Sequence, residues 1–457
     1  MNYRFERIGG SKVAVFDRNV DNVTMAKIIA ENGTKNNIDE AFGLMNLNTV
    51  VKYFNDWKSL LPRIEPFYAV KCNDDPILLK VLADLGAGFD CASKEEINMI
   101  LHKNLVPPEK IIFANPCKSR SFIEHAQKFN VTMMTFDSEE ELVKIQEIYK
   151  DSKLILRIRV IDHSATIPLG LKFGCEPSEA ALYLLQKAAD MGLQVIGISF
   201  HVGTGCNDPT VFEQAVKYSK NLFEVGKSLG HNMHLLDIGG GFPGNNREKF
   251  EKFARIIRSC TDKYFPASTE NVRIVAEPGR YFAAACVSIV AKIISTVKVP
   301  ASRITNNDTD SDKEGYMYYI NDGVYGSFNC VLTENWEPFG RPLFDSDKTD
   351  DKEYPTIVWG PTGDSLDKVE SHKNIRRMQE NEWLHYENIG AYSNVLATQF
   401  NGFKPPQYSY FIDNSTWKFI YSKTKDIDSY NRSNAKKTQT YGKALAKGFD
   451  RLIKKFY

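Results

Sequence analysis

The sequence predicts an α/β protein in which a closed (β/α)8 barrel of the TIM type is joined to an all-β domain. The chain has 457 residues, 42% of them apolar, so it is long enough for two domains that each bury a core. Between residues 64 and 279, eight β-rich runs alternate with helical segments. After residue 285, strand-like runs follow one another without intervening helices.

The barrel strands are predicted at eight short apolar runs, which read PFYAV, GFDCA, IIFAN, TMMTF, LILRI, IGISF, LLDIG and RIVAE. The segments between them show the 3.6-residue periodicity of helices, as in PILLKVLADLG. Ser138 with Glu141 forms a capping-box pattern, and Asp208 before Pro209 predicts an N-cap followed by a first-turn proline. We place the barrel at residues 46–285. A doubly wound open sheet would show the same alternation and stays open as the alternative.

The second domain is predicted from six strand-like runs, AKIISTVKV, GYMYYIND, PTIVWG, WLHYEN, QYSYFI and TWKFIY. The opening segment contains SKVAVFD, which is also strand-like. We therefore predict a sandwich-like or Greek-key-like β-domain formed by residues 1–45 and 286–430. Polar stretches at 306–315 and 345–354 are predicted to be solvated loops.

Residues 431–457 form a basic tail with eight Lys or Arg against one acid. Apolar residues recur in it at helical spacing, which indicates an amphipathic helix (Leu445, Phe449, Leu452, Ile453 and Phe456). Two interpretations stay open: a terminal segment that belongs to its own domain, and a surface that binds a partner or a membrane.

The overall composition favours a small-molecule function. Lys and Arg total 58 against 57 Asp and Glu, so no broad field exists for nucleic acid or an anionic membrane. The eight cysteines are scattered without a CxxC pair or metal-ligand spacing, which predicts reduced thiols and no metal. Because the chain also shows no signal peptide and no apolar run of transmembrane length, we expect a soluble cytoplasmic protein.

Polar residues or glycines lie at or near the ends of seven of the eight predicted barrel strands. They are Lys71, Asp90, Asn115, Arg157, His201, the glycines 239–241 and Glu277. The carboxyl ends of barrel strands converge on one face, so these residues are expected to face one another.

Their chemistry points to pyridoxal 5′-phosphate (PLP). Lys71 directly follows an apolar strand, where desolvation favours the neutral, nucleophilic amine. The Gly239–Gly241 run lets backbone N–H groups approach a phosphate, while Glu277 suits a pyridine nitrogen and His201 suits the face of an aromatic ring. Each feature alone has a structural explanation: a structural lysine, a tight turn, a surface salt bridge and a satisfied core histidine. Together, an amine, a phosphate cradle and a pyridinium partner are what PLP requires.

The chain resembles the eukaryotic ornithine decarboxylases, of the alanine-racemase-like group of PLP enzymes. The matching motifs cover most of the chain: PFYAVKCN (66–73), LGAGFDCASKEEI (85–97), NPCKSR (115–120), LKFG (171–174), FHVGTGC (200–206), LLDIGGGFPG (235–244), AEPGRYF (276–282), NDGVYGSFNC (321–330), WGPTGDSLD (359–367) and ENIGAY (387–392). The resemblance implies decarboxylation of L-ornithine to putrescine, a step of polyamine biosynthesis.

The resemblance also implies roles for individual residues. Lys71 would bind PLP covalently, His201 would stack on its ring, and Glu277 would pair with the pyridine nitrogen; these three are the implied catalytic residues. Further cofactor contacts are implied for Asp90, Arg157, Thr204, Gly240, Gly241, Gly279, Arg280 and Tyr392. The family forms head-to-tail homodimers whose active sites are completed by the partner's β-domain, and Tyr325, Glu334 and Asp364 match the substrate-binding part of that shared region.

Departures from the family pattern fall in the substrate region. The family has WGPTCD where this chain has WGPTGD, so Gly363 replaces the cysteine that serves as proton donor. Thr333 and Glu334 stand where the family usually has a Tyr-Asp pair, and Glu334 is one methylene longer than aspartate.

Three interpretations therefore compete. The first is a working ornithine decarboxylase with impaired or altered catalysis. The second is a PLP-binding pseudoenzyme that regulates polyamine synthesis by binding antizyme, as the antizyme inhibitors of the family do; the intact cofactor residues count against it. The third is another activity on the same scaffold, such as racemisation or decarboxylation of lysine or arginine.

Overall fold

The computed structural model describes residues 2–162, 164–166, 169–334, 336–345 and 352–422. The chain divides into a barrel unit, residues 52–284, and a sheet unit, which combines the residues up to Val51 with those from Ala285 onward. The predicted basic tail, 431–457, lies outside the described residues. The first elements are β1 (Tyr3–Ile8), β2 (Ser11–Phe16), α1 (Asn22–Lys35), β3 (Phe42–Asn46) and α2 (Leu47–Leu60).

The barrel unit confirms the predicted (β/α)8 architecture. Its described strands close into a parallel barrel in chain order: β4 (Ile64–Ala69), β5 (Gly88–Cys91), β6 (Ile111–Phe113), β7 (Met133–Phe136), β8 (Lys153–Arg157), β9 (Gln194–Ser199), β10 (Leu235–Asp237) and β11 (Arg273–Ala276). Register pairs β11 with β4, which closes the ring and excludes the open-sheet alternative. The accompanying helices are α3 (Pro76–Leu85), α4 (Lys94–Leu101), α5 (Arg120–Lys128), α6 (Glu139–Ile148), α7 (Glu179–Asp190), α8 (Val211–Ser228), α9 (Arg247–Tyr264) and α10 (Arg280–Ala283).

Local signals fix where the barrel helices begin. Ser138 caps α6 by accepting a hydrogen bond from the Glu141 N–H, as the sequence predicts. The start predicted for α8 is wrong: the N-cap is Thr210, and the Asp208 carboxylate instead accepts hydrogen bonds from the Thr210 backbone and hydroxyl. This local Asx-type turn satisfies Asp208 before the helix begins at Val211.

Apolar side chains fill the barrel interior below its carboxyl-end face. The cluster comprises Phe67, Ile112, Met133, Ile155, Ile196, Leu235 and Val275, one from nearly every strand. Burial of such a side chain stabilises the fold by about 1.5–3 kcal/mol. Because this layer plugs the lumen, polar groups that face inward are confined to the strand ends above it.

The sheet unit continues with β12 (Val287–Pro300), α11 (Ser302–Thr305), β13 (Glu314–Ile320), α12 (Cys330–Glu334), β14 (Arg341–Pro342), β15 (Glu353–Trp359), β16 (Lys368–Arg376), β17 (Trp383–Tyr386), β18 (Gln407–Asp413) and α13 (Asn414–Tyr421). Its described strands join in the order β1-β2-β18-β3-β12-β13-β15-β16, while β17 pairs with β12 and β14. The sheet is mixed, because β18 runs parallel to β2 and β3 and β13 runs parallel to β15.

The sheet unit is mostly β, but helices cover part of it. Helix α1 packs Met25 and Ile29 into the same buried cluster as Trp383 of β17. The strand predicted at TWKFIY is wrong: these residues form α13, because Asp413 caps a helix by accepting a hydrogen bond from the Thr416 N–H (2.8 Å). Within the described ranges, no helix is both long and apolar enough to cross a membrane.

Candidate active site

The carboxyl-end face of the barrel brings Lys71 and Asp90 into contact. Lys71 lies in the 3-10 turn Val70–Cys72 directly after β4, and Asp90 is in the neighbouring strand β5. The Lys71 Nζ donates to one oxygen of the Asp90 carboxylate, which is completely buried, whereas 42% of the Lys71 side chain is exposed. A buried anion therefore holds the Lys71 amine, while part of the lysine side chain stays exposed to a ligand.

His201 follows β9 and presents a neutral imidazole. Its Nδ1 accepts a hydrogen bond from the Gly203 N–H (3.0 Å), which leaves the hydrogen of the neutral ring on Nε2. Burial lowers the pKa of His201 well below 6.5, and the nearby Arg157 and Lys71 cations lower it further. A neutral ring of this kind suits stacking on another aromatic ring.

The glycine run after β10 is required by close packing. Gly239 and Gly241 have φ of +62° and +102°, in the left-handed region that favours glycine. A Cβ added to Gly240 would lie 2.7 Å from the His201 Nε2 and 2.8 Å from the Glu277 carbonyl oxygen. The turn thus lies directly against the residues that follow β9 and β11.

Glu277 follows β11, and its carboxyl lies in an unusual environment. Burial raises its pKa well above 4.5, and the negative neighbours Asp237 and Asp90 raise it further, against the opposing effect of Lys71 and Arg157. The Glu277 N–H donates to the Gly239 carbonyl (2.7 Å), which ties this residue to the glycine turn.

Asp237, which the sequence analysis did not single out, ends β10 and is completely buried. Burial raises its pKa to about 7, and one of its oxygens accepts a hydrogen bond from the Gly239 N–H (2.9 Å). The sequence does contain a signal for this residue, because Asp237 is the one charged residue in the apolar LLDIG run and lies at the end of the strand.

The remaining barrel residues take these places around the face. Arg157 ends β8, with its guanidinium 5.4 Å from the Phe173 ring centre, and pairs in register with Ser199. Thr204 lies half-buried between two left-handed glycines, Gly203 and Gly205. Gly279 precedes Arg280, the first residue of α10; a Cβ at Gly279 would lie 2.8 Å from the Cys72 Cβ, beside the Lys71 turn.

Four buried polar atoms at these strand ends have no hydrogen-bond partner among the described residues. They are Asp90 Oδ1, Ser199 Oγ, Asp237 Oδ2 and Glu277 Oε1. Buried polar groups without partners are uncommon, and each costs free energy unless a ligand or water satisfies it. Three of these atoms are carboxyl oxygens, so the face fits a ligand with a cationic, hydrogen-bonding ring, while the glycine turn has backbone N–H groups of the kind that bind phosphate.

In the sheet unit, Tyr325 and Asp364 lie together. The Tyr325 hydroxyl donates to the Asp364 carboxylate; this raises the pKa of Tyr325 and lowers that of Asp364. Gly363 directly precedes Asp364, and a Cβ built there meets no heavy atom of the described residues within 4 Å.

Two buried aspartates hold the loops that carry this pair. Asp367 accepts from the Thr362 N–H (2.9 Å) and from the Val324 N–H (2.8 Å), joining the two loops. Asp322 accepts from the Gly323 and Ser327 N–H groups. Two further predicted site residues belong to the sheet unit. Glu334 is the last residue of α12, and Tyr392 follows β17 with a φ of +52°.

Comparison with known proteins finds similarity to pyridoxal-dependent decarboxylases over most of the chain. Residues 47–284 match the family model "pyridoxal-dependent decarboxylase, pyridoxal binding domain". The chain is 52% identical to the ornithine decarboxylase of Panagrellus redivivus over 415 residues, 90% of this chain and 95% of that one. It is 49% identical to the ornithine decarboxylase of Caenorhabditis elegans, over 92% and 99% of the two chains. It is also 40% identical to antizyme inhibitor 2 of Xenopus laevis, over 83% of each chain.

Solved structures agree. The arginine decarboxylase of Paramecium bursaria Chlorella virus, bound to agmatine, superposes with a TM-score of 0.77 at 34% identity and covers 85% of this chain and 100% of its own. A lysine decarboxylase from Selenomonas ruminantium gives 0.72 at 26% identity, over 91% and 100% of the two chains.

Proposed function

Because this chain belongs to the family of pyridoxal-dependent decarboxylases, we propose that it decarboxylates L-ornithine to putrescine, as a step of polyamine biosynthesis. The observation that carries the proposal is the Lys71–Asp90 pair beside Glu277, three side chains that meet at the carboxyl-end face of the barrel. Membership of the family makes PLP the cofactor and amino-acid decarboxylation the reaction class; the amino acid, the site assignments and the assembly are the proposed part.

The residues on this face fit PLP. Lys71 would hold the cofactor covalently, Glu277 would pair with its ring nitrogen, and the neutral His201 would lie against its ring. The glycine turn would hold the phosphate together with Thr204, Gly279, Arg280 and Tyr392. The unpartnered oxygens of Asp90 and Glu277 are where a cationic, hydrogen-bonding ring would gain partners. When bound, PLP supplies an electron sink that stabilises the negative charge left on the α-carbon as CO₂ departs.

The chain's own groups would hold the reactive lysine in place, balance the buried charges and exclude water. Asp90 accepts a hydrogen bond from the Lys71 amine and so keeps this amine at the strand end when it is not bound to the cofactor. Arg157, at the end of β8, is a second cation of this face, and with Lys71 it opposes the charge of the buried carboxylates. The apolar layer beneath excludes water from this side of the site.

We assign recognition of a basic amino acid to Tyr325, Glu334 and Asp364. A side-chain ammonium that leaves water needs an anionic partner, and the Asp364 carboxylate stays ionised because its pKa is lowered. We further propose that the enzyme is a homodimer in which these residues complete the partner's active site, as the family resemblance implies. A cytoplasmic location is proposed from the scattered cysteines, which suit a reducing compartment.

The experiment is a CO₂-release assay with carboxyl-labelled ornithine, lysine and arginine, with PLP supplied. We expect release from ornithine to exceed release from the other two by at least about tenfold in kcat/KM, the equivalent of one lost polar contact. Equal release from all three would contradict the assignment of ornithine. Release from lysine or arginine alone would replace it.

A second candidate is a PLP-binding regulator that acts through antizyme. Two observations favour it: the similarity to antizyme inhibitor 2 and the replacement of the family's proton-donor cysteine by Gly363. Protein that binds PLP, releases no CO₂ from any basic amino acid and co-purifies with antizyme would establish this candidate in place of the first.

A further inference from the structure

Asp237 connects three parts of the cofactor face. Its carboxyl Oδ1 accepts a hydrogen bond from the Gly239 N–H (2.9 Å). Its backbone carbonyl accepts one from the Phe200 N–H (3.1 Å), immediately before His201. Through the Gly239 carbonyl, which accepts from the Glu277 N–H (2.7 Å), the same turn holds Glu277.

The turn that Asp237 holds is strained for any residue other than glycine. Gly239 has a φ of +62°, and a Cβ there would lie 2.1 Å from the Phe200 carbonyl oxygen. Only glycine therefore fits at this position, and glycine has the most backbone freedom of any residue. The hydrogen bond that the Gly239 N–H donates to the buried Asp237 carboxyl fixes its conformation, and the N–H groups that follow can then bind an anion.

Asp237 lies among other ionisable side chains of the barrel face. Asp90 and Glu277 are negative neighbours, while Arg157 is the neighbouring cation. On the Glu277 side, Lys71 is a second cation. Asp237 is fully buried, and its Oδ2 has no hydrogen-bond partner among the described groups. Because two adjacent buried carboxyls cannot both ionise cheaply, Asp237 and Glu277 titrate as a pair.

We propose that Asp237 is a positioning residue of the PLP site: its carboxyl holds the phosphate turn in place through Gly239 and, through the same turn, keeps Glu277 where the ring nitrogen would bind. Asp237 contacts neither substrate nor cofactor in this assignment. It acts through Gly239 and Glu277. The proposal concerns cofactor binding and does not depend on which amino acid is decarboxylated.

The test compares Asp237→Asn with Asp237→Ala. Asparagine keeps the oxygen that accepts from Gly239 and replaces the other carboxyl oxygen with a neutral N–H donor, whereas alanine removes both. The matched control is Ser219→Ala, which deletes a buried hydroxyl on α8 that donates to the Ala215 carbonyl (2.9 Å). PLP dissociation constants are measured by titrating cofactor-stripped protein, and the absorption spectrum of the bound cofactor is recorded across pH.

We expect Asp237→Asn to bind PLP within about threefold of wild type, with an unchanged spectrum. Asp237→Ala should bind at least about tenfold more weakly, as when an outer-shell partner of a bound group is lost, and its spectrum should shift toward that of Glu277→Gln. Ser219→Ala should bind as wild type does. A purely structural role would lower thermal stability without shifting the spectrum.

Two results would overturn the proposal. One is an Asp237→Asn variant that folds but loses at least about tenfold in PLP affinity, because the hydrogen bond from Gly239, which asparagine keeps, would then not be what holds the turn. The other is an Asp237→Ala variant with wild-type affinity and spectrum. Should the alanine variant not fold, the asparagine variant alone decides.

Discussion

Gly363 stands where the family resemblance implies a cysteine, and the structure shows what a side chain there would meet. Among the described residues, no heavy atom lies within 4 Å of a Cβ built at this position, and the φ is not in the left-handed region. The glycine is therefore not required by the fold. The neighbouring Asp364 carboxylate accepts hydrogen bonds from the Tyr325 hydroxyl and from the Leu366 N–H, and neither bond involves Gly363.

Restoring the thiol should consequently restore a proton donor without a loss of stability. We expect Gly363→Cys to raise the rate of CO₂ release by about tenfold or more, since a positioned general acid contributes at least that much, and to leave the thermal midpoint within about 1 °C. Gly363→Ala is the control and should have little effect on the rate. Turnover that is identical in the cysteine and alanine variants would show that this position does not limit catalysis.

How far single residues can be predicted depends on whether their signal is local. Lys71, His201 and Glu277 follow apolar strands, and this placement alone puts them on one face of a barrel. Asp237 was missed because its side chain acts inside an apolar run, where the sequence shows only one charge. Its role depends on contacts with Gly239 and Phe200, which are brought together only by the closed barrel.

At the scale of elements, periodicity identified all eight barrel strands but not every helix of the sheet unit. TWKFIY contains aromatic and β-branched residues that favour strands, yet it forms α13. The N-cap at Asp413 and the packing of Ile420 outweigh that weak propensity. The parallel pairing of β18 with β2 and β3 likewise has no local signal, because it joins segments about 400 residues apart.

The first and last barrel strands are joined by an ion pair whose pH dependence can be measured. Glu65 of β4 accepts two hydrogen bonds from Arg273 of β11 (2.9 and 2.8 Å) and pairs with Lys110. The Arg273 hydrogen bonds, helped by both cations, lower the pKa of Glu65 from 4.5 to about 2. The stabilisation is therefore present above pH 4.5 and is lost as the pH falls toward 2.

We expect Glu65→Gln to lower the free energy of unfolding at pH 7 by about 1 kcal/mol or less, because about a third of each side chain is exposed. Urea unfolding at several pH values tests this, and the difference from wild type should shrink between pH 4.5 and pH 3. Glu109→Gln, at an exposed glutamate in the turn before β6, is the control. A difference that grows as the pH falls would contradict the assignment.

At the scale of the whole molecule, the proposed dimer divides the active site between two chains. Lys71 and Asp90 belong to the barrel unit, whereas Tyr325, Asp364 and Gly363 belong to the sheet unit. Sequence patterns separated a barrel from a sheet domain because the two differ in periodicity. They carry no comparable signal for assembly, which depends on surfaces formed only after folding.

Mixing two inactive variants tests the shared site. Lys71→Ala lacks the cofactor lysine and Asp364→Ala lacks the substrate acid, so each homodimer should be inactive. Mixed dimers contain one complete site, and random exchange should recover about a quarter of wild-type activity. Each variant incubated alone is the control. Mixtures that stay as inactive as the separate variants, despite exchange of subunits shown by tagged pull-down, would place both residues in the same chain's site.

The account as a whole depends on Lys71 as the residue that binds PLP. The most direct measurement is borohydride reduction of the holoenzyme followed by mass spectrometry of its peptides. We predict a phosphopyridoxyl group on the peptide that contains Lys71, absent from the Lys71→Ala variant. Its attachment to another lysine, such as the buried Lys118, or the absence of any labelled peptide from protein saturated with PLP, would contradict the central claim.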